Sequence, residues 1–260
     1  MVRLKYFVMP PRDVYTSGAE GAYMKGYKTY TEYNYLQGGI SSFIKLLHFE
    51  KALQYTRSHF HTENVIDYGC AEGVFLPSLA KYFNHVVGID INPKGIETST
   101  RLVSSLRLKN VDLICSSGAT ARDIKLKISD KRYGILYLLE TLEHVGQKER
   151  LYESKTDFLR DISTLIDDDG FMVVTVPRMV GLSFLIQRIG LALLGLYREP
   201  LSLINLIKAS FLSNTDELEK NWDGGHIGFN HRKLEKHLKK GFRYSRKLML
   251  FQVVYIITKP

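Results

Sequence analysis

The stretch Val65-Ile66-Asp67-Tyr68-Gly69-Cys70-Ala71-Glu72-Gly73 constrains this chain most. A β-branched apolar run passes into a turn of small residues and then into helical spacing, the signature of a strand, a tight loop and a helix start. Gly69 and Gly73 let the main chain turn sharply and let a ligand approach it, while the helix start offers unpaired N–H donors. Asp90 closes a second apolar strand, Val86-Val87-Gly88-Ile89-Asp90, seventeen residues after Gly73. A carboxylate at the end of that strand can accept both hydroxyls of a ribose.

The same alternation continues on either side. Strands are predicted at Val65–Tyr68, Val86–Asp90, Val111–Cys115, Ile135–Leu139, Phe171–Val176 and Phe251–Thr258, with helices near Ile40–Arg57, Gly73–Phe83, Pro93–Leu106, Glu149–Ile166 and Arg232–Lys240. Short apolar strands alternating with amphipathic helices make an α/β chain with a mostly parallel sheet covered on both faces. At 260 residues and 45% hydrophobic, the chain can bury a core of that kind. Residues 1 to 60 read as a separate arm, rich in tyrosine (Tyr15, Tyr23, Tyr27, Tyr30, Tyr33, Tyr35) and ending in a helix. Residues 61 to 260 read as the main domain, interrupted at 179 to 220 by an apolar helical insertion.

A nicotinamide-binding loop would read G-x-G-x-x-G, but Ala71 and Val74 stand at its second and third glycine positions. The observed D-x-G-x-A-x-G resembles the class I S-adenosylmethionine-dependent methyltransferases, especially the type 11 branch that includes quinone-biosynthesis enzymes. Leu139-Glu140-Thr141-Leu142-Glu143-His144-Val145 is similar to that branch's segment after the fourth strand. Asp168-Asp169-Gly170-Phe171-Met172-Val173-Val174-Thr175-Val176-Pro177 is similar to its fifth strand, and Gly225-His226-Ile227-Gly228-Phe229 to its C-terminal arrangement. The resemblance implies a Rossmann-like, doubly wound, seven-stranded sheet with an antiparallel last strand, an N-terminal helical arm and an α-helical insertion after the fifth strand. It also implies S-adenosylmethionine as cofactor. Carried over residue by residue, Asp67, Gly69, Ala71 and Gly73 would cradle the methionine moiety, Asp90 would bind the ribose and Ile91 would pack on the adenine. Ser117, Gly118 and Glu140 would complete the cofactor shell.

His226 and His144 are the candidate general bases; the alternative for His226 is a structural role in its glycine-flanked turn. Glu143 and His144 read either as a cap on the fourth strand or as contacts to cofactor or substrate. No metal site is assigned. The tyrosines read as packing residues or as a lid, and Cys70 and Cys115 as small core fillers. Two cysteines, and an apolar start cut off at Pro10, lead us to expect a reducing, cytoplasmic setting without a secretion signal.

Lys and Arg number 36 against 27 Asp and Glu, and eight of them lie between His231 and Lys247 against the single Glu235. That run is either a solvated helix face or a lure for anionic lipid, a phosphorylated substrate or nucleic acid. Nucleic acid is the weakest of these, since no recognition fold accompanies it. The stripe Leu182, Leu185, Ile186, Ile189, Leu193, Leu196 reads as a buried lid, a subunit contact in a homodimer, or a helix in a membrane interface, helped by Arg178, Arg188 and Arg198. The expected function is methyl transfer to a small-molecule or lipid- or glycan-linked oxygen or nitrogen. The alternatives are a non-catalytic cofactor-binding scaffold and a nicotinamide oxidoreductase.

Overall fold

A computed structural model describes residues 4–16, 26–128, 130–193 and 201–259. Seven strands form one sheet in the order β3-β2-β1-β4-β5-β7-β6. They are β1 (Asn64–Tyr68), β2 (His85–Asp90), β3 (Val111–Cys115), β4 (Ile135–Leu139), β5 (Phe171–Pro177), β6 (Arg243–Leu248) and β7 (Gln252–Thr258). The first strands pair in parallel, with Val65 opposite both Val86 and Ile135, and Val86 opposite Val111. β6 and β7 pair antiparallel, from Arg243 opposite Thr258 to Leu248 opposite Val253. This is the Rossmann-like order, in which the reversal beside β1 opens a crevice at the strands' carboxyl ends.

Two compact units make up the chain. The first holds residues 1–139 and 164–171. Its inner strands bury nearly every side chain, all five residues of β4, five of six in β2 and four of five in β1, whereas the edge strand β3 buries only Val111. Helix Pro93–Ser105 starts where Asn92 accepts the Lys94 N–H and Pro93 takes the first turn; it buries Gly95, Thr98, Ser99 and Leu102 at helical spacing. The helix after the glycine loop begins at Leu76, three residues later than its spacing predicts, because Gly73 at φ +79° keeps the loop out of helical geometry. A helix at Ala121–Lys127 has no counterpart in the predicted set; a Thr120/Asp123 capping box starts it, and only Ile124 is buried, so its apolar periodicity is too weak to read.

The tyrosine arm is packed. Tyr15 is fully buried against Val14 and Leu102, Tyr35 lies 5.5 Å from Phe49, and Tyr27 lies 5.4 Å from Tyr33. Tyr23 lies outside the described residues. Glu72, inside the glycine loop, accepts the Tyr30 and Thr31 N–H groups at 3.1 and 2.7 Å, which sets an anion at the start of helix Tyr30–Tyr35.

The second unit holds residues 140–163 and 172–260. Helix Leu151–Ser163 buries Tyr152, Lys155, Leu159 and Ile162. The insertion forms helix Leu182–Leu193 and, further on, helical turns over Leu203–Leu212. Its orientation differs from a buried lid: Leu182, Ile186, Ile189 and Leu193 are exposed, whereas Ser183, Phe184 and Arg188 are buried. Leu196 and Arg198 lie outside the described residues. Nor do the two described arginines turn outward, since Arg188 is buried over the Phe184 ring and Arg178 donates to the Met249 carbonyl at 2.7 Å. Among the described residues no helix is long and apolar enough to cross a membrane.

The basic run is partly neutralised, by acids outside it and by its own Glu235. Lys233 reaches Asp216 at 2.6 Å and Glu219 at 2.8 Å, and Arg246 pairs with Glu235. The sequence reading holds no strand at β6; its residues are mostly exposed and three of the six are basic, so no apolar alternation marks it.

Candidate functional site

In the first unit, β1 delivers Asp67 and then turns through Gly69 at φ +84° and Ala71 at φ +47°. The Gly69 and Cys70 N–H groups donate to the Ile89 carbonyl at 2.7 and 3.0 Å, which ties the loop to the end of β2. The Ala71 N–H donates to Asp90 Oδ2 at 2.7 Å and the Asn92 N–H to Asp90 Oδ1 at 2.8 Å. Each Asp90 oxygen keeps a further lone pair, enough for a diol. The loop is braced from behind: the Ser99 hydroxyl donates to the Ala71 carbonyl at 3.0 Å, and a Cβ on Gly73 would lie 2.9 Å from that hydroxyl oxygen. Gly73 therefore serves the packing of helix Pro93–Ser105 as much as ligand approach. Ala71, a non-glycine residue in the left-handed region, carries strain of the kind found at binding sites.

Asp67 is 3% exposed, and its Oδ2 has no hydrogen-bond partner among the described residues. Burial, reinforced by the Asp90 charge, raises its carboxyl to about 7. A buried, unpaired acid is costly until a cation arrives, and the ammonium of a methionine moiety is such a cation. Ile91, one residue beyond Asp90, is 68% exposed, an apolar surface suited to a base. Ser117 and Gly118 stand exposed in the turn after β3, with Gly118 at φ +71°. The residues present thus fit a nucleoside bearing a cationic amino-acid arm.

The second unit carries the other candidates. Glu140, in the left-handed region at φ +50°, donates its N–H to Thr175. Its Oε1 is buried without a hydrogen-bond partner, and burial and the Glu143 charge push its carboxyl up. Glu143 is fully buried; its Oε1 lies 3.3 Å from His226 Nδ1 and 3.8 Å from His144 Nε2. The two rings stand 4.7 Å apart, edge to face. His144 Nδ1 donates to the Gly224 carbonyl, which leaves the Nε2 lone pair facing Glu143.

Lys155 holds this turn, donating to the carbonyls of Leu142 (3.0 Å), Glu143 (2.9 Å) and Val145, with its ammonium 4.6 Å from the Trp222 ring centroid. Burial lowers its ammonium to about 8. Trp222 in turn donates to the Gly225 carbonyl at 2.8 Å and so fixes the loop that bears His226. Lys155 and Trp222 were not read as site residues: a lysine buried on a helix carries no periodic signal. Glu72 and Ser99 were missed for a similar reason, since their partners are backbone groups distant in sequence.

A Rossmann-like sheet with a glycine loop, a ribose-type acid and a buried carboxylate oxygen without a hydrogen-bond partner defines a nucleoside-binding fold. Residues 40–233 match the family described as "Methyltransferase domain", and the chain belongs to it. It is an enzyme, a class I methyltransferase, and its cofactor is S-adenosylmethionine. The family match is broader than the type 11 branch that the sequence resembles.

A human relative, EEF1A lysine methyltransferase 2, is 26% identical over 116 residues, which cover 43% of this chain; the chain spans about half (46%) of that relative's length. Among solved structures, the PH0226 protein from Pyrococcus horikoshii OT3 is similar at TM-score 0.61 and 16% identity, covering 92% of this chain and all (100%) of that one. A SAM dependent methyltransferase from Aquifex aeolicus is similar at TM-score 0.52 and 14% identity, covering 84% of this chain and 93% of that one. At these identities the likeness concerns the fold.

Proposed function

We propose that the enzyme methylates an oxygen of a small, lipid-linked acceptor, working from the cytoplasmic face of a membrane. The observation that carries this reading is the outward apolar face of the insertion, where Leu182, Ile186, Ile189, Leu193, Leu203, Ile204, Ile207, Phe211 and Leu212 are all exposed. Exposed apolar side chains in that number on one insertion mark an interaction surface. The excess of Lys and Arg, +9 overall, favours an anionic one, and a helix with one apolar side can lie in a headgroup layer without crossing it.

S-adenosylmethionine supplies a methyl group on a sulfonium that leaves without acid assistance. In this reading Asp67 takes the cofactor's ammonium, the Gly69–Gly73 main chain encloses its methionine end, Asp90 accepts the ribose hydroxyls, and Ile91 with Ser117 and Gly118 borders the adenine. The protein's share of the catalysis is then placement and exclusion of water.

Two measurements test the proposal. Labelled methyl from the cofactor, incubated with the enzyme and fractionated cell extract, is expected in the organic-soluble fraction; label confined to protein or RNA overturns the acceptor reading. Wild-type enzyme is expected to float with vesicles containing anionic lipid, and Ile186→Glu/Ile189→Glu to stay at the bottom with unchanged cofactor affinity. Equal flotation, or a stable dimer that the same pair of substitutions dissociates, overturns the membrane reading.

A further inference from the structure

A buried carboxylate without hydrogen bonds is expensive unless a cation sits beside it. Glu143 is in that position: it is fully buried, and neither of its oxygens has a hydrogen-bond partner among the described residues. The ammonium of Lys155 acts on it only through its charge, because its three N–H donors are spent on the carbonyls of Leu142, Glu143 and Val145. Two imidazoles face the carboxylate instead.

The ligand-type atoms of Glu143, His144 and His226 all lie within 4.8 Å of one another. Donors roughly 2.1 Å from a shared tetrahedral cation stand roughly 3.4 Å apart. The Glu143–His226 separation of 3.3 Å already has that value, and the Glu143–His144 separation of 3.8 Å is close to it. His144 is prepared as a ligand: its Nδ1–H is held by the Gly224 carbonyl, which fixes the tautomer and presents the Nε2 lone pair, the outer-shell arrangement common to metal-bound imidazoles. The side chains of His144 and His226 are 44% and 46% exposed, so the cluster is open on one side.

We propose that Glu143, His144 and His226 form a binding site for a divalent metal cation. Two imidazole nitrogens and carboxylate oxygens suit a borderline ion such as Zn²⁺ or Mn²⁺ better than Ca²⁺, which takes oxygen ligands. The open side leaves a position for an oxygen of water or of a substrate hydroxyl, whose proton such an ion makes more acidic. His144 and His226 then serve as ligands, and neither is the general base. The inference goes beyond methyl transfer to lipid-linked acceptors and does not depend on that reading.

The test uses the full chain, stripped with chelator, dialysed and titrated by calorimetry with ZnCl₂ and MnCl₂, and by visible absorption with CoCl₂. One equivalent is expected to bind, with ligand-field bands in the cobalt sample. Glu143→Gln and His226→Ala are expected to weaken binding at least a hundredfold. Cofactor titration of each sample reports independently that the nucleoside site is intact. A folded, cofactor-binding wild-type chain that takes up none of the three ions overturns the proposal. So does a Glu143→Gln or His226→Ala chain that binds them as tightly as wild type. If one variant fails to fold, the other variant and the wild-type cobalt spectrum still decide.

Discussion

The glycine loop of the first unit and the Glu/His turn of the second both follow a buried strand, β1 and β4, and both pass through a non-glycine residue in the left-handed region, Ala71 and Glu140. They are built from different material. The loop is made of main chain: its shape comes from positive φ angles and from N–H groups bound to Ile89 and Asp90. The turn is made of side chains: Lys155 clamps its carbonyls, and two acids and two imidazoles project from it and from the facing loop. A surface of main chain tolerates few substitutions but asks little of side-chain chemistry, whereas a cluster of side chains can change its chemistry one residue at a time. The two regions suit a constant cofactor and a variable partner respectively.

The sharpest way to break this contrast is Gly69→Val. A β-branched residue at φ +84° both strains the loop and fills the space beside it, so cofactor binding by calorimetry is expected to vanish in a chain whose circular dichroism is unchanged. Retained affinity would mean that the loop's shape is not what binds. Next in size is Lys155→Met, which leaves three buried carbonyls without their donor and is expected to cost about 2–4 kcal/mol in urea unfolding. A loss below about 0.5 kcal/mol would show that the turn holds itself.

Asp90→Ala is expected to weaken cofactor binding by about 1–3 kcal/mol, since it removes both the ribose acceptor and two loop anchors. The smallest effect is a pH slope. With its carboxyl raised to about 7 in the fold, Asp67 keeps its proton between pH 4 and 7 while the unfolded chain loses it, so its contribution to stability fades as pH rises through that window. Cofactor binding has the opposite sign, because an arriving ammonium favours the ionised acid. Affinity is expected to rise about tenfold from pH 6 to 8 and to be level in Asp67→Asn. Cys70, whose thiol burial and the Asp67 and Asp90 charges raise, does not contribute a charge there.

The contrast also explains what could be read without coordinates. Main-chain loops leave local marks, since glycine spacing, a preceding apolar run and an acid at fixed distance are all short-range, and the turn through Gly69, Ala71 and Gly73 beside Asp90 was legible for that reason. Six of the seven strands announced themselves by apolar runs, β7 to within one residue of its start, while β6, largely exposed, gave no sign. The Glu/His cluster joins residues about eighty positions apart, so Glu143, His144 and His226 were each visible as candidates but their meeting was not. The insertion's helical stripe was correctly spaced, yet spacing does not say which side faces inward. Burial of Ser183, Phe184 and Arg188 in place of the leucines and isoleucines is a tertiary outcome.

β6 ends the sheet with Arg243, Arg246 and Lys247 on an uncovered margin. Open strand margins invite zippering between molecules, and rows of cations repel their own kind. Two copies brought edge to edge would set guanidinium against guanidinium, so the positive surplus fences the protein against polymerising with itself, and high salt should lower that fence.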